Sequence, residues 1–225
     1  MSENKIDLKK LERKVWTSFY EDGIWDIYLG LLLSAIAVGA FCTDTGISEK
    51  YSIFGHIGIT VFAVLLLWLG KHFITVPRIG TVVFGSRGRA RLTKVQVLLA
   101  ISCVSGLAAF LLIASTIGNV TARQSVMEYI VPVFWTVNML VLFSLAAYFL
   151  NYARLYIIGF LYAIAVPADK ILRQILHIDL SVVAFGVPAM IILIMGVVVL
   201  VRFLRKYSIP SDDFPSKEIK DVRDR

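Results

Sequence analysis

Residues 151–176 read NYARLYIIGFLYAIAVPADKILRQIL. Whether this stretch crosses a membrane decides how many times the whole chain does. Its apolar part, residues 155–168, is fourteen residues long. At about 1.5 Å per residue it reaches only about 21 Å of a hydrocarbon core about 30 Å thick. Pro167, Asp169 and Lys170 then interrupt it, while Ile171, Leu172, Ile175 and Leu176 continue an apolar stripe. Read alone, it is a short span that emerges obliquely and ends along the outer interface.

The flanking sequence has no such ambiguity. Apolar runs at about 24–42, 52–70, 95–117, 129–150 and 180–204 each have the length of a transmembrane helix. Hydrophobic residues make up 58% of the 225-residue chain and charged ones 17%, with a mean hydropathy of +0.77. Soluble domains carry about 25% charge, so a soluble fold is excluded. The fold class is all-α, a polytopic transmembrane helix bundle.

Basic residues decide the status of segment 155–168. If it crosses, and the N-terminus is cytoplasmic, nineteen of the 23 Lys and Arg fall inside, in 1–23, 71–94, 151–154 and 202–225. Only Lys50, Arg123, Lys170 and Arg173 fall outside. If it does not cross, the seven basic residues after position 201 move outside and the bias weakens sharply. Six spans with both termini cytoplasmic follow. The same bias explains the net charge of +7 without a nucleic-acid partner, because the charge lies in short segments between apolar runs and not on a basic domain.

In residues 1–23, Leu8, Leu11, Val15 and Phe19 recur at helical spacing among charges, the pattern of an amphipathic helix on the membrane surface. Glu21, Asp22 and Asp26 sit where span one begins and read as caps favoured by the helix dipole. The tail 205–225 carries Pro210, Pro215 and dense mixed charge and reads as disordered. Cys42 and Cys103 fall at different membrane depths, which a disulfide cannot bridge. Asn119-Val120-Thr121 is a glycosylation sequon on the outer side.

The loop 71–94 carries Lys71, Arg78, Arg87, Arg89, Arg91 and Lys94 and no acidic residue. Val82 to Phe84, then Gly85-Ser86-Arg87-Gly88, then Arg89 to Thr93, predict a β-hairpin lying on the cytoplasmic leaflet. Arg78, Arg87, Arg89, Arg91 and Lys94 are the candidate contacts for anionic lipid headgroups or another phosphate, each worth roughly 1 kcal/mol near such a surface. Ordinary topology determination accounts for the same charges. The turn is not a phosphate-binding P-loop, since the GxxxxGK[ST] spacing is absent.

Two polar side chains inside spans are candidate sites: His56 in span two and Asn138 at the middle of span four. For both, a hydrogen bond to a neighbouring helix is the simpler role. Small residues on spans one and three allow close helix approach, within one molecule or between copies in a homo-oligomer. Pro132 and Pro188 interrupt helical hydrogen bonding within their spans. No span carries a central Asp, Glu, Lys or Arg, and no nucleophile–base pair or metal-ligand spacing is present. No catalytic residue, metal or cofactor is expected.

Asp22-Gly-Ile-Trp-Asp-Ile-Tyr-Leu-Gly30, Val76-Pro-Arg-Ile-Gly80 and Arg202-Phe-Leu-Arg-Lys-Tyr207 resemble stretches of a group of uncharacterised prokaryotic multi-pass membrane proteins. The resemblance covers about 20 residues directly and implies the six-span layout and a prokaryotic plasma-membrane location. It implies no activity. The leading expectation is a non-enzymatic transport or permease-like unit. The alternative is a membrane scaffold or regulator that binds anionic lipid through loop 71–94.

Overall fold

The structure, a computed structural model, describes residues 20–79, 86–116, 118, 126–176 and 181–207. The described residues are helices joined by short turns, with no strand among them. The six principal helices are α1 (Ile24–Asp44), α2 (Glu49–Gly70), α3 (Ser86–Ser115), α4 (Val131–Leu150), α5 (Arg154–Leu176) and α6 (Ser181–Lys206). A π-helical turn, Lys71–Thr75, and a last α-turn, Val76–Ile79, prolong α2; a second π-turn, Val126–Ile130, leads into α4. Six helical segments are long and apolar enough to cross a membrane: Ile24–Cys42, Lys50–Arg78, Arg89–Ser115, Val126–Leu150, Arg154–Ile175 and Ser181–Lys206.

Residues 154–176 form one continuous helix, long and apolar enough to cross a membrane. α5 has 23 residues, about 34 Å of helix, against the fourteen apolar residues read from the sequence. Pro167 lies inside it and leaves the carbonyl of Ala163, one turn back, without its usual backbone donor. The Thr136 hydroxyl of α4 shares its one proton between the Pro132 carbonyl of its own helix, 2.8 Å, and that Ala163 carbonyl, 3.2 Å, and the Trp135 indole N–H donates to the Tyr162 carbonyl at 2.8 Å. The neighbouring helix thus supplies donors where proline withdraws one. Asp169 pairs with Arg173 one turn on, at 3.2 Å, so the charges that looked like a terminus instead pair along the helix.

The β-hairpin expected in loop 71–94 is not supported. Residues 86–94, including Arg89 to Thr93, form the first turns of α3, and residues 71–79 continue α2; Val82 to Phe84 lie outside the described residues. A lone two-stranded hairpin is marginal in water. A helix already nucleated by a transmembrane segment propagates through Arg, Ala, Leu and Lys at little cost. The amphipathic helix expected within 1–23 lies almost wholly outside the described residues, as do the tail after Tyr207 and the sequon at Asn119.

Neighbouring helices follow the order α2, α1, α6, α5, α4, α3, with α1 also touching α5. α1 is the most enclosed, and Leu33, Ala35 and Ala37 on it are buried. The α1–α6 contact is close because glycines face backbone. A Cβ on Gly196 would lie 2.8 Å from the Ile27 nitrogen, and one on Gly30 would lie 2.8 Å from the Leu193 side chain. Gly159 of α5 receives Phe143 of α4 in the same way. Small residues that let backbones approach are the usual basis of helix association in lipid. α2 and α3, at the two ends of the order, stay largely exposed, with Phe54, Phe62, Trp68, Val104 and Phe110 all more than half exposed.

Candidate functional site

At the end of the bundle that carries most of the basic residues, two aspartates are buried completely. Asp22 precedes α1. Its Oδ1 accepts the Ile24 backbone N–H at 3.1 Å, so Asp22, and not Asp26, supplies the side-chain cap of this helix. Its Oδ2 accepts from the Thr75 hydroxyl at 2.7 Å and from the Lys71 ammonium. Lys71 and Thr75 bracket the π-turn. The wider π-turn, closing i to i+5, brings both side chains to the same carboxylate oxygen.

Asp26, in the first turn of α1, faces the other way. The Tyr152 hydroxyl donates to its Oδ1, and the Arg154 guanidinium lies 3.3 Å from its Oδ2. That Oδ2 makes no hydrogen bond among the described residues, and neither does the buried Trp25 indole nitrogen. Tyr152 reaches Asp26 because of how α4 ends. Asn151 adopts the left-handed conformation, φ 55°, and the Tyr152 N–H returns to the Ala147 carbonyl at 3.0 Å. This six-to-one closure turns the residue after Asn151 inward. Arg154 also donates to the Tyr20 carbonyl at 2.8 Å.

The network is electrically balanced, two carboxylates against one ammonium and one guanidinium. Buried charges persist only when paired in this way. Burial pushes the Tyr20 phenol up to about 12. Tyr152 is raised as well, first by burial and then by the negative charge of Asp26. Both phenols are therefore protonated at neutral pH, and that of Tyr152 donates to Asp26.

The residues singled out from the sequence lie in several places. The Arg78 guanidinium donates to the carbonyls of Leu204, 3.2 Å, and Tyr207, 2.9 Å. It caps the C-terminus of α6, where the helix dipole favours a cation. Arg89, Arg91 and Lys94 are exposed on the first turns of α3, with the Lys94 ammonium 5.6 Å from the Phe149 ring centre. Arg87 lies in the first turn of that helix. The His56 Nδ1 lies 3.1 Å from the Ala35 carbonyl of α1. Asn138 faces Ser102 of α3: its amide nitrogen is 3.1 Å and its amide oxygen 3.2 Å from the Ser102 hydroxyl.

Beyond the Ser102–Asn138 contact, α3 on one side and α4 with its leading π-turn on the other border an open-sided wedge of about 690 Å³. Gly106, Ala109 and Ile113 line one wall, and Ile130, Phe134 and Trp135 the other. None of the lining residues is charged. Among the described residues, no three His, Cys, Asp or Glu side chains converge as metal ligands would. The wedge and the network were illegible in the sequence for one reason: each needs the helix order. The Asx-Gly entry of α1 and the Asn151 break were the visible local signals. Compared with protein-family models, curated proteins and solved structures, the chain matches none.

Proposed function

We propose that the chain is an integral membrane protein with its basic end in the cytoplasm, and that it works as a non-enzymatic transport or permease-like unit. The wedge between α3 and α4 is the observation that carries this reading. It lies within spanning segments, and its volume falls in the range of about 300–1,000 Å³ typical of small-molecule sites. Hydrogen-bonding groups sit at its inner end on an otherwise apolar wall. The buried network then acts as the fixed base, tying α1 to α2 through Asp22 and to the α4–α5 turn through Asp26. α3 packs chiefly on α4 and is the part free to move.

The test is uptake by proteoliposomes of a panel of small neutral, anionic and cationic solutes. Wild-type protein should pass at least one solute faster than protein-free vesicles. Gly106→Leu should block that passage, because a side chain there enters open space, with no atom within 4 Å of its Cβ, and so fills the wedge without a clash. Uptake equal to protein-free vesicles for every solute would sink the reading.

A second reading rests on the exposure of Arg89, Arg91 and Lys94 on the first turns of α3. Facing an anionic leaflet, they would make the chain a lipid-anchored scaffold or regulator. Replacing all three with Gln should lower binding of anionic over zwitterionic lipid in nanodiscs, by roughly 1 kcal/mol per charge. Unchanged lipid preference would remove this reading.

A further inference from the structure

The wedge has a polar inner end that its own protein does not saturate. A primary amide offers two N–H donors and two carbonyl lone pairs. At Asn138 both amide heteroatoms turn to a single hydroxyl, that of Ser102, which has one proton to give. At least one amide N–H and one carbonyl lone pair are left without a partner among the described residues. Ser102 is central in the span Arg89–Ser115 and Asn138 is central in Val126–Leu150, so these groups sit at the midplane of the bilayer. No lipid headgroup or bulk water reaches that depth, and an unmet amide there is costly.

From this point the wedge runs away from the basic end. Ser102 to Ile113 is about 16 Å of helix, close to half of a hydrocarbon core about 30 Å thick. None of its lining residues is charged; the Ser105 hydroxyl and Trp135 indole on its walls already donate to the Ser102 and Tyr162 carbonyls, and the rest of the lining outward of Asn138 is apolar. A cation or anion held at the midplane would have no counter-charge there, which excludes charged solutes. A plain hydrocarbon chain would fill the volume and leave the amide unmet.

We infer that the wedge binds an uncharged, elongated apolar molecule carrying one hydroxyl or carbonyl group, with that group hydrogen-bonded to Asn138 at the midplane and the hydrocarbon lying between α3 and α4. This rests on the reading of the wedge as a solute site and names the class of solute.

The experiment uses full-length protein in nanodiscs and three photoactivatable C16 probes, each with a diazirine in the chain. They end in a primary alcohol, a carboxylate and a trimethylammonium group. A phospholipid with the same diazirine chain serves as the control for ordinary lipid contact. The alcohol probe should label peptides covering 102–113 and 131–139, saturably, and be competed by unlabelled alcohol. Asn138→Leu should weaken its apparent affinity about fivefold, the equivalent of one hydrogen bond of about 1 kcal/mol. Gly106→Leu should abolish the labelling, while Gly58→Leu, another glycine with open space around its Cβ, should leave it unchanged. Equal labelling by all four probes, or labelling indifferent to Asn138→Leu, overturns the inference. Saturable, Asn138-dependent labelling without solute uptake by proteoliposomes would uphold this site and reject the transport reading.

Discussion

Gly23 shows how much one position can carry. Its φ is +76°, and a Cβ there would stand 2.5 Å from the Gly196 carbonyl oxygen and 2.8 Å from the Leu200 nitrogen. Gly46 has nearly the same φ, +71°, with nothing within 4 Å. The pair separates two effects. Gly46→Ala should cost only the left-handed penalty of roughly 1–2 kcal/mol. Gly23→Ala should add roughly 1–3 kcal/mol of overpacking against α6, read as a lower unfolding midpoint in detergent. Equal losses would mean that the α1–α6 contact is not as close as described. Asp26 makes a second case. Arg154→Met leaves a fully buried carboxylate without its cation, which should cost about 3–5 kcal/mol. Adding Asp26→Asn should recover part of that loss; strict additivity in the double-mutant cycle would show that the two do not interact. The phenols set an alkaline limit. Tyr20 is protonated up to about pH 12 in the folded protein, above the value of about 10 for a free phenol. The stability this supplies is full below pH 10 and is lost as pH rises from 10 towards 12. Tyr20→Phe should flatten that decline in a pH series of thermal melts.

Whole elements depend on contacts that compensate for their irregularities. α5 keeps its course through Pro167 with help from α4, whose Trp135 indole donates to the Tyr162 carbonyl and whose Thr136 hydroxyl, shared with the Pro132 carbonyl, reaches that of Ala163. The extension of α2 keeps its π-turn because Lys71 and Thr75 both serve Asp22, and its last turn is held by Arg78 on the end of α6. Arg78→Gln should release that latch alone. Faster hydrogen exchange is expected in residues 76–79 and 203–207, with the centre of α1 unchanged. Exchange that rises across the whole bundle would instead make Arg78 part of the global fold. The sequence pattern carried helix existence well, since six apolar segments appear where apolar runs were read. Their ends were misjudged wherever a partner decided them. Arg89 to Thr93 looked extended by local composition, yet α3 propagates through them. Asp169 and Lys170 looked like a terminus, yet Arg173 pairs with Asp169 in a continuing helix.

At the scale of the molecule, the proposed six crossings would put the ends of Ile24–Cys42 and Ser181–Lys206 that meet the network on one side of the bilayer. A cysteine-free background, with Cys42 and Cys103 replaced by Ala, gives the test. Single cysteines at Ser2 and Ser211 should react with an impermeant maleimide only after the cells are opened, and one at Ser48 should react in intact cells. Labelling of Ser211 but not Ser2 in intact cells would require an odd number of crossings. Two properties of the whole were readable from the chain alone: the spans and the end that gathers the basic residues. Both follow from terms that add residue by residue. A transmembrane helix satisfies its own backbone, so its presence depends on the length of an apolar run, and the side of a loop depends on its charge. The network and the wedge do not add in this way. Asp22 meets Lys71 across 49 positions and Asp26 meets Tyr152 across 126, and Asn138 meets Ser102 across 36. Those encounters depend on which helices become neighbours. That is settled by glycine-lined contacts and by the need of each buried polar group to find a partner, which only the packed bundle decides.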